Sequence, residues 1–256
     1  MAKRETAAAL PAPVLMWLNW RMELDERLHA IRERINAACK LAERDPAEVM
    51  LLPVSKSHSA NAVRELTYHG CRVFGESKIQ EAKLKISACP GNLEWQLIGH
   101  LQSNKCRDAV RLFSMIQSVD RLSIAEEINR HAHNAAKDMP VLLEVNVAGE
   151  GTKHGFKPAE LLDVLEPIND LPRLEIHGLM TLAPWTSEPE KVRPIFQRLR
   201  ELREASEQKL GAPLQHLSMG MSGDFEVAIE EGATIVRIGT ALFGLRPRPA
   251  KPRPAE

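Results

Sequence analysis

The first regular pattern in the chain is helical. Leu24, Leu28, Ile31, Ile35 and Ala38 recur at intervals of three or four residues, which places them on one face of a helix. The Asp-Pro pair at positions 45–46 then ends this pattern, because the residue before a proline is disfavoured in helical conformation. A long amphipathic helix is therefore predicted to open the fold.

Behind this helix, short apolar runs alternate with helical patterns. The predicted strands cover residues 49–54, 72–74, 93–98, 114–119, 140–147, 174–182, 214–217 and 235–243. The predicted helices cover residues 60–69, 78–87, 104–112, 121–136 and 224–231, with two more starting at Pro158 and near Pro189. Strands and helices in alternation indicate a parallel sheet with helices outside it, and eight such units close into a barrel. We therefore predict an α/β fold, a single (β/α)8 TIM-type barrel with an extra N-terminal helix.

The barrel is expected to occupy residues 21–245 as one domain. A chain of 256 residues is a normal length for one such barrel, and no linker interrupts it. Residues 1–20 are expected to be a loose N-terminal extension. Residues 246–256 are rich in proline, which cannot join a helix or a central strand, and are expected to be a disordered tail.

Composition narrows the classes of function. Lys+Arg and Asp+Glu both number 34, and this balance argues against a nucleic-acid binder. No apolar run approaches the roughly 20 residues of a membrane helix. The four cysteines, which are Cys39, Cys71, Cys89 and Cys106, form no Cys-x-x-Cys pair and have no histidine cluster beside them. We therefore expect neither zinc nor disulfides, and no metal, in a protein of the reducing cytoplasm.

In such a barrel, functional residues are expected at the carboxyl ends of the strands. Lys56 directly follows the first strand and should point into the barrel mouth. Partial burial there would favour the neutral amine, a nucleophile that forms a Schiff base with an aldehyde. An ion pair of Lys56 with Glu76 or Asp120 explains the same position equally well.

Two turns rich in glycine and hydroxyl groups follow the seventh and eighth strands. They read Ser218-Met-Gly-Met-Ser-Gly-Asp224 and Arg237-Ile-Gly-Thr240. Phosphate sites commonly form in these two loops of a barrel, although ordinary turn chemistry would also use such residues. A lysine and a phosphate site on one rim indicate a phosphorylated aldehyde, namely pyridoxal phosphate. The rival hypothesis is a Schiff-base aldolase of sugar phosphates with Glu76 or Asp120 as its base.

Several blocks, in order along the chain, resemble the pyridoxal phosphate homeostasis protein family, single-domain relatives of the N-terminal barrel of alanine racemase. The resemblance runs from about residue 22 to 245. The blocks are Pro53-Val-Ser-Lys56, Phe74-Gly-Glu-Ser-Lys-Ile-Gln-Glu81, Trp95-Gln-Leu-Ile-Gly-His-Leu-Gln-Ser-Asn-Lys105, Ser118-Val-Asp120, Gly178-Leu-Met-Thr181, Leu217-Ser-Met-Gly-Met-Ser-Gly-Asp224 and Val236-Arg-Ile-Gly-Thr240.

The resemblance implies that pyridoxal 5'-phosphate is held as an aldimine on Lys56, with Arg237 facing the pyridine nitrogen. The other cofactor-binding residues that it implies are Ser77, Ser218, Met221, Ser222, Gly239 and Thr240, of which Ser222, Gly239 and Thr240 hold the phosphate. An arginine stays protonated and cannot accept a proton from the ring, which leaves the cofactor a weak electron sink. This chain departs from the family where Ser77-Lys78 replace Asn-Tyr and where Gln96 replaces a common histidine.

The family resemblance favours a carrier or regulator in vitamin B6 and amino-acid homeostasis. Such a protein would pass the cofactor to apo-enzymes and would be a monomer or weak dimer.

The alternative is an amino-acid racemase, which needs a second base opposite Lys56. The racemases draw that base, a tyrosine, from a further domain that we expect to be missing here. Tyr68 is predicted to lie on the outside of the barrel, and His100 is the best-placed substitute, although a hydrogen-bonded rim residue explains it better.

Overall fold

The computed structural model describes residues 12–151 and 153–245, with side chains from residue 20 onwards. Its eight parallel strands are β1 (Met50–Pro53), β2 (Val73–Glu76), β3 (Glu94–Leu97), β4 (Met115–Val119), β5 (Met139–Glu144), β6 (Leu174–Met180), β7 (His216–Ser218) and β8 (Ile235–Ile238). They hydrogen-bond in the order β1-β8-β7-β6-β5-β4-β3-β2. The barrel closes between β1 and β2, where Val54 and Gly75 form a parallel bridge and Ser55 N donates to Gly75 O at 3.1 Å. The predicted (β/α)8 barrel is confirmed.

Helices surround the strands. They are α1 (Ala12–Leu41), α2 (Ala60–Tyr68), α3 (Ile79–Ala88), α4 (Cys106–Leu112), α5 (Leu122–Asn134), α6 (Leu161–Asn169), α7 (Arg193–Leu210), α8 (Phe225–Glu230) and α9 (Thr240–Phe243). The opening helix α1 packs against α8 and α9. Within the described ranges, no helix is long and apolar enough to cross a membrane.

Several element boundaries differ from the predictions by a few residues, among them the following three. Helix α1 begins at Ala12, so residues 12–20, expected to be loose, are its first turns, while residues 1–11 lie outside the described chain. Strand β8 ends at Ile238 because Gly239 (φ −110°, ψ −82°) leaves the extended conformation, and α9 follows. Helix α6 begins at Leu161 instead of Pro158, behind a turn in which Glu160 N donates to Lys157 O. The predicted tail 246–256 also lies outside the described residues.

Apolar side chains fill the barrel interior and the layer between strands and helices. One cluster contains only strand residues, which places it inside the barrel; its members are Leu52, Met115, Leu142, Met180 and Ile235. The larger cluster joins the outer strand faces to the helices and includes the face of α1 built from Leu24, Leu28, Ile31 and Ile35. This packing leaves the carboxyl ends of the strands free to carry polar side chains.

A buried ion pair stabilises the point where the barrel closes. Lys85 of α3 donates from Nζ to Glu76 Oε1 at 2.6 Å, to Ser55 O at 2.5 Å and to Glu81 Oε1 at 2.7 Å. The side chains of Lys85 and Glu76 are 6% and 0% exposed. Burial raises the pKa of Glu76, and the hydrogen bonds from Lys85 and Ser55 oppose that rise. The pair ties α3 to both strand ends that meet at the closure.

We expect Lys85→Met to destabilise the fold strongly. The substitution leaves the Glu76 carboxylate buried without its cation, which typically costs about 3–5 kcal/mol. Because protonation relieves that cost, the loss should shrink as the pH falls towards the ordinary range of a carboxyl group. Urea unfolding at several pH values measures both effects.

Lys83→Met is the matched control. Lys83 lies on the same helix, and its ion pair with Asp108 is solvent-exposed, with 42% of the lysine side chain accessible. Exposed pairs contribute less than about 1 kcal/mol. Equal losses for the two variants would contradict the stabilising role assigned to Lys85.

Candidate functional site

A cavity of about 600 Å³ opens at the carboxyl ends of β1, β7 and β8. It is lined by Val54, Lys56, His58, Trp185, Thr186, Met221, Ser222, Gly223, Asp224, Arg237, Gly239, Thr240 and Ala241. Six of the eight predicted cofactor-binding residues are among them, namely Lys56, Met221, Ser222, Arg237, Gly239 and Thr240. The first strand and the last two strands therefore bring the predicted lysine and the two predicted turns to one cavity.

Lys56 sits on a loop whose backbone is fixed from several sides. Ser57 N donates to Glu81 Oε1 at 2.5 Å and His58 N donates to Ser55 O at 2.9 Å. Ser57 adopts a left-handed conformation (φ 66°), which is uncommon for a residue with a side chain and turns the loop sharply. The half-buried Lys56 side chain is thus presented from a rigid support.

The amine of Lys56 makes no hydrogen bond or ion pair with any residue of the described ranges. The two carboxylates considered as its partners are engaged elsewhere. Glu76 pairs with Lys85, and Asp120 pairs with His100 and Arg121. The alternative explanation of Lys56 as half of an ion pair with Glu76 or Asp120 therefore finds no support in the structure.

The turns after β7 and β8 are joined through Ser222. Its Oγ accepts a hydrogen bond from Ala241 N at 3.2 Å, while Asp224 Oδ1 accepts one from Met221 N at 2.6 Å. Gly220 makes the first turn possible, because it has φ +88° and a Cβ there would lie 2.6 Å from Ala228 Cβ. The two predicted turns form one continuous wall of the cavity.

This wall carries hydrogen-bond donors that the rest of the described chain does not use. The backbone N–H groups of Ser222, Gly223 and Thr240 donate to no described residue, and the Ser222 hydroxyl, which accepts from Ala241, keeps its own proton to donate. Converging N–H and hydroxyl groups are the donors that proteins use for phosphate oxygens. The wall can therefore bind an anionic group of phosphate type.

Arg237 forms the floor of the cavity and is 3% exposed. It donates to Thr181 O at 2.8 Å and to Ser218 Oγ at 2.6 Å. Burial lowers the pKa of Arg237 to about 10, against the opposing charges of Glu144 and Asp224. The guanidinium therefore remains cationic at neutral pH.

A chain of buried hydrogen bonds continues from Arg237 across the barrel. Ser218 Oγ donates to Gln117 Oε1 at 2.6 Å, and Gln117 Nε2 donates to Gln96 Oε1 at 2.6 Å. Gln96, which departs from the family pattern, is thus part of the support of Arg237. A fully satisfied network of this kind restricts its members to one arrangement.

Two predicted cofactor-binding residues lie elsewhere. Ser218 is fully buried, and its hydroxyl is taken up by Arg237 and Gln117, so it does not line the cavity. Ser77 lines a separate cavity of about 240 Å³ together with Lys78 and His100. Ser77 and Ser218 therefore lie at the predicted strand ends but do not line the cavity that contains Lys56.

Seven of the thirteen lining residues were not predicted as cofactor-binding, and three of them add aromatic or hydroxyl groups to the wall. His58 stacks on Phe243 with ring centroids 4.8 Å apart and 20° between the rings, while Trp185 and Thr186 come from the loop after β6. Trp185 is 89% exposed. In the sequence, the only signal for this part of the cavity wall was a tryptophan in the loop that follows a predicted barrel strand.

Neither Tyr68, predicted to lie outside the barrel, nor His100, the candidate second base, lines the Lys56 cavity. Tyr68 ends α2 on the outside of the barrel and is 74% exposed. His100 Nδ1 lies 2.9 Å from Asp120 Oδ2, and the ring borders the smaller cavity. His100 is therefore a hydrogen-bonded rim residue in this structure.

Glu144 is a buried acid that sequence reasoning missed, because it lies within an apolar run. It ends β5 and is 5% exposed. Burial, with a smaller effect from the charge of Asp120, raises the pKa of Glu144 to about 7, and Arg237 opposes this. The interior thus contains one carboxyl group that titrates near neutral pH.

Comparison with known proteins gives matches over most of the chain. Residues 27–247 match the model of the family described as alanine racemase, N-terminal domain. A relative from Aquifex aeolicus named pyridoxal phosphate homeostasis protein is 46% identical over 226 residues, which are 88% of this chain and 99% of the relative.

Two solved structures are similar in fold and sequence. PipY of Synechococcus elongatus with PLP bound has a TM-score of 0.73 and 37% identity, over 84% of this chain and 100% of PipY. A protein of Bifidobacterium adolescentis, described as unknown, has a TM-score of 0.81 and 32% identity, over 92% of this chain and 98% of its own.

We expect Glu144→Gln to change how stability depends on pH. In the wild-type protein the pKa of Glu144 is about 7 when folded and near 4.5 in an unfolded chain. Its contribution to stability is therefore complete below the lower value and is lost as the pH rises through the higher one. Between about pH 5 and pH 8 the wild type should lose on the order of 1–3 kcal/mol more than Glu144→Gln.

Urea unfolding at both pH values is the measurement. Glu166→Gln is the control, since Glu166 is an exposed acid on α6. If the wild type and Glu144→Gln lose stability in parallel, the raised pKa of Glu144 is refuted.

Proposed function

The chain belongs to the pyridoxal phosphate homeostasis protein family, and on this premise we propose that it binds pyridoxal 5'-phosphate in the cavity around Lys56. One observation carries the proposal above all others. The Lys56 amine, which has no partner among the described residues, shares a single cavity with unused hydroxyl and N–H donors and with the Arg237 cation. Residues 21–245 would form the cofactor-binding unit.

The groups that line the cavity match the three functional parts of this cofactor. Pyridoxal phosphate supplies an aldehyde, which forms a reversible covalent link with a primary amine. We assign that amine to Lys56. Ser222, Gly239 and Thr240 would hold the phosphate with hydroxyl and backbone N–H groups. Arg237 would face the ring nitrogen, and Met221 would contact the cofactor from the wall.

Arg237 favours a carrier over a transaminase, and the cavity lining favours a carrier over a racemase. With a pKa of about 10, its guanidinium keeps its proton and donates hydrogen bonds only, so a ring nitrogen beside it would stay unprotonated. An unprotonated ring draws electrons from a bound amino acid weakly, which disfavours transamination. Neither Tyr68 nor His100 lines the cavity as a second base. His58 does line it, but on the same loop as Lys56 and stacked on Phe243.

We therefore propose a carrier or regulator in vitamin B6 and amino-acid homeostasis. The cavity would keep a reactive aldehyde away from other amines, and the reversible link would allow its release to apo-enzymes. The balance of charge, 34 basic against 34 acidic residues, suits a protein without nucleic-acid partners. The four free cysteines suit the cytoplasm. A monomer or weak dimer is the proposed assembly.

Lys56→Ala should abolish covalent cofactor binding. We expect the wild-type protein, mixed with pyridoxal phosphate, to become yellow and to bleach with borohydride. Peptide mass spectrometry should then find the phosphopyridoxyl group on Lys56. Lys78→Ala, which removes an exposed lysine from the neighbouring cavity, should behave like the wild type.

Adding an apo-enzyme to the loaded protein tests the carrier role, because the enzyme should become active.

A wild-type protein that stays colourless with excess pyridoxal phosphate would overturn the proposed cofactor. A group found on Lys78 instead of Lys56 would overturn the assignment of the lysine. An apo-enzyme that becomes active no faster with the loaded protein than with free cofactor would leave binding intact and refute the carrier role.

Ser222→Ala and Thr240→Val should weaken binding of pyridoxal phosphate by roughly 10-fold each. Loss of one hydrogen bond to a charged group costs about 1.5 kcal/mol or slightly more, which is about this factor. Titration by absorbance measures the dissociation constant. Pyridoxal, which lacks the phosphate, is the control ligand and should bind the variants and the wild type alike. Equal weakening for both ligands would mean that these hydroxyls do not bind the phosphate.

A further inference from the structure

A second group of functional side chains meets on the other side of the barrel rim. His100 follows β3, Asp120 follows β4, and His154 lies in the loop between β5 and α6. None of the three lines the Lys56 cavity. Within the described ranges they form the one cluster of three or more His, Cys, Asp or Glu side chains whose ligand atoms converge, all within 4.8 Å of one another.

Both imidazoles approach the same carboxylate oxygen. His100 Nδ1 lies 2.9 Å from Asp120 Oδ2, and His154 Nδ1 lies 3.7 Å from that atom. A zinc ion binds imidazole nitrogen and carboxylate oxygen at about 2.0–2.2 Å, so its ligand atoms are about 3.3 Å apart. The two measured distances lie on either side of that value. The ligand nitrogens of the two imidazoles lie within 4.8 Å of each other. A change of up to about 1.5 Å in that separation, with a rotation of the rings, would bring all three ligands onto one ion.

The two imidazole rings are stacked, with centroids 3.5 Å apart and 12° between their planes. Both Nδ1 atoms lie on the side of the stack that faces Asp120. A hydrogen bond to Asp120 can satisfy His100, but 3.7 Å is too long for a hydrogen bond from His154.

The carboxylate and the loop are already held in place. Arg121 donates to Asp120 Oδ1 at 2.7 Å, which fixes the carboxylate and leaves Oδ2 to the imidazoles. Such outer contacts orient the ligands of metal sites. Directly after His154, Gly155 has φ +117°, and a Cβ there would lie 2.7 Å from Asn146 N. Phe156 N donates to Glu144 O at 2.7 Å and closes the loop onto β5.

We propose that His100, Asp120 and His154 form a binding site for a divalent transition-metal ion, specifically zinc. Two imidazoles and one carboxylate make a donor set that zinc accepts, and such a three-ligand site leaves at least one position for water. The side chains of His100 and His154 are 30% and 55% exposed, so those positions open to solvent. This site replaces the expectation, based on cysteine spacing, that the chain holds no metal. It is independent of the proposed cofactor.

The test is calorimetric titration of the full chain, without an affinity tag, with zinc chloride alone. We expect one equivalent to bind, and His154→Ala to bind at least about 10-fold more weakly. His154 is exposed, so its removal should leave the fold intact, which circular dichroism checks. His133→Ala, at an exposed position on α5, is the matched control and should bind like the wild type.

Lys56→Ala separates this site from the cofactor site. It should lose pyridoxal phosphate and keep its affinity for zinc, since zinc could otherwise bind to the cofactor itself. Cobalt(II) provides a spectroscopic check, because coordination by two imidazoles should give visible absorption bands that His154→Ala and His100→Ala both reduce.

Three results with the wild type and the histidine variants would overturn the metal site. They are the absence of saturable zinc binding to the wild type, unchanged affinity in His154→Ala, and an equal loss of affinity in His133→Ala. If the wild type shows no saturable zinc binding, the three side chains only support the rim through hydrogen bonds. Loss of zinc binding in Lys56→Ala would assign the metal to the Lys56 cavity instead.

Discussion

The buried ion pair between Lys85 and Glu76 is the interaction on which the rest of the structure depends. It joins α3 to the ends of β1 and β2, the two strands between which the barrel closes. A buried pair contributes little net energy, because removing both charges from water costs about as much as their attraction returns. The pair instead fixes the positions of α3 and of the two strand ends. The carbonyl group that Lys85 holds belongs to Ser55, and Lys56 is the next residue, so barrel closure and the placement of Lys56 share one constraint.

Beyond that closure, the rim is divided into two sectors with different chemistry. The β7–β8–β1 sector presents an amine, hydroxyl groups and unused N–H groups, which suit an aldehyde and an anion. The β3–β4–β5 sector presents two imidazoles and a carboxylate. The buried chain of hydrogen bonds from Arg237 through Ser218 and Gln117 to Gln96 crosses the interior between them. The strands of the second sector therefore help to support Arg237 in the first, so the two sectors share one polar network.

The sequence could predict what depends on neighbouring residues and not what depends on distant ones. The strands, Lys56 and the two turns were predictable because each is a contiguous pattern with its chemistry at a strand end. That Ser77 and Ser218 lie outside the Lys56 cavity was not predictable, because sequence does not show which side of the rim a strand end faces or which hydroxyl is already engaged. The His100–Asp120–His154 cluster was invisible, since its members are 20 and 34 positions apart and come from three loops. A search for short metal motifs cannot find such a site.

Arg237 shows why a cation can remain in this interior and still serve a ligand. Its two hydrogen bonds within the described chain go to a carbonyl and a hydroxyl, which do not neutralise its charge. The acids that balance its charge, Glu144 and Asp224, act by electrostatic attraction at a distance and form no ion pair with it. Glu144, with a pKa of about 7, is only partly ionised at neutral pH. A guanidinium has five N–H groups, so three remain beyond the two that are used. A direct carboxylate partner would have consumed those donors. Balancing the charge at a distance leaves Arg237 cationic and able to donate to whatever occupies the cavity above it.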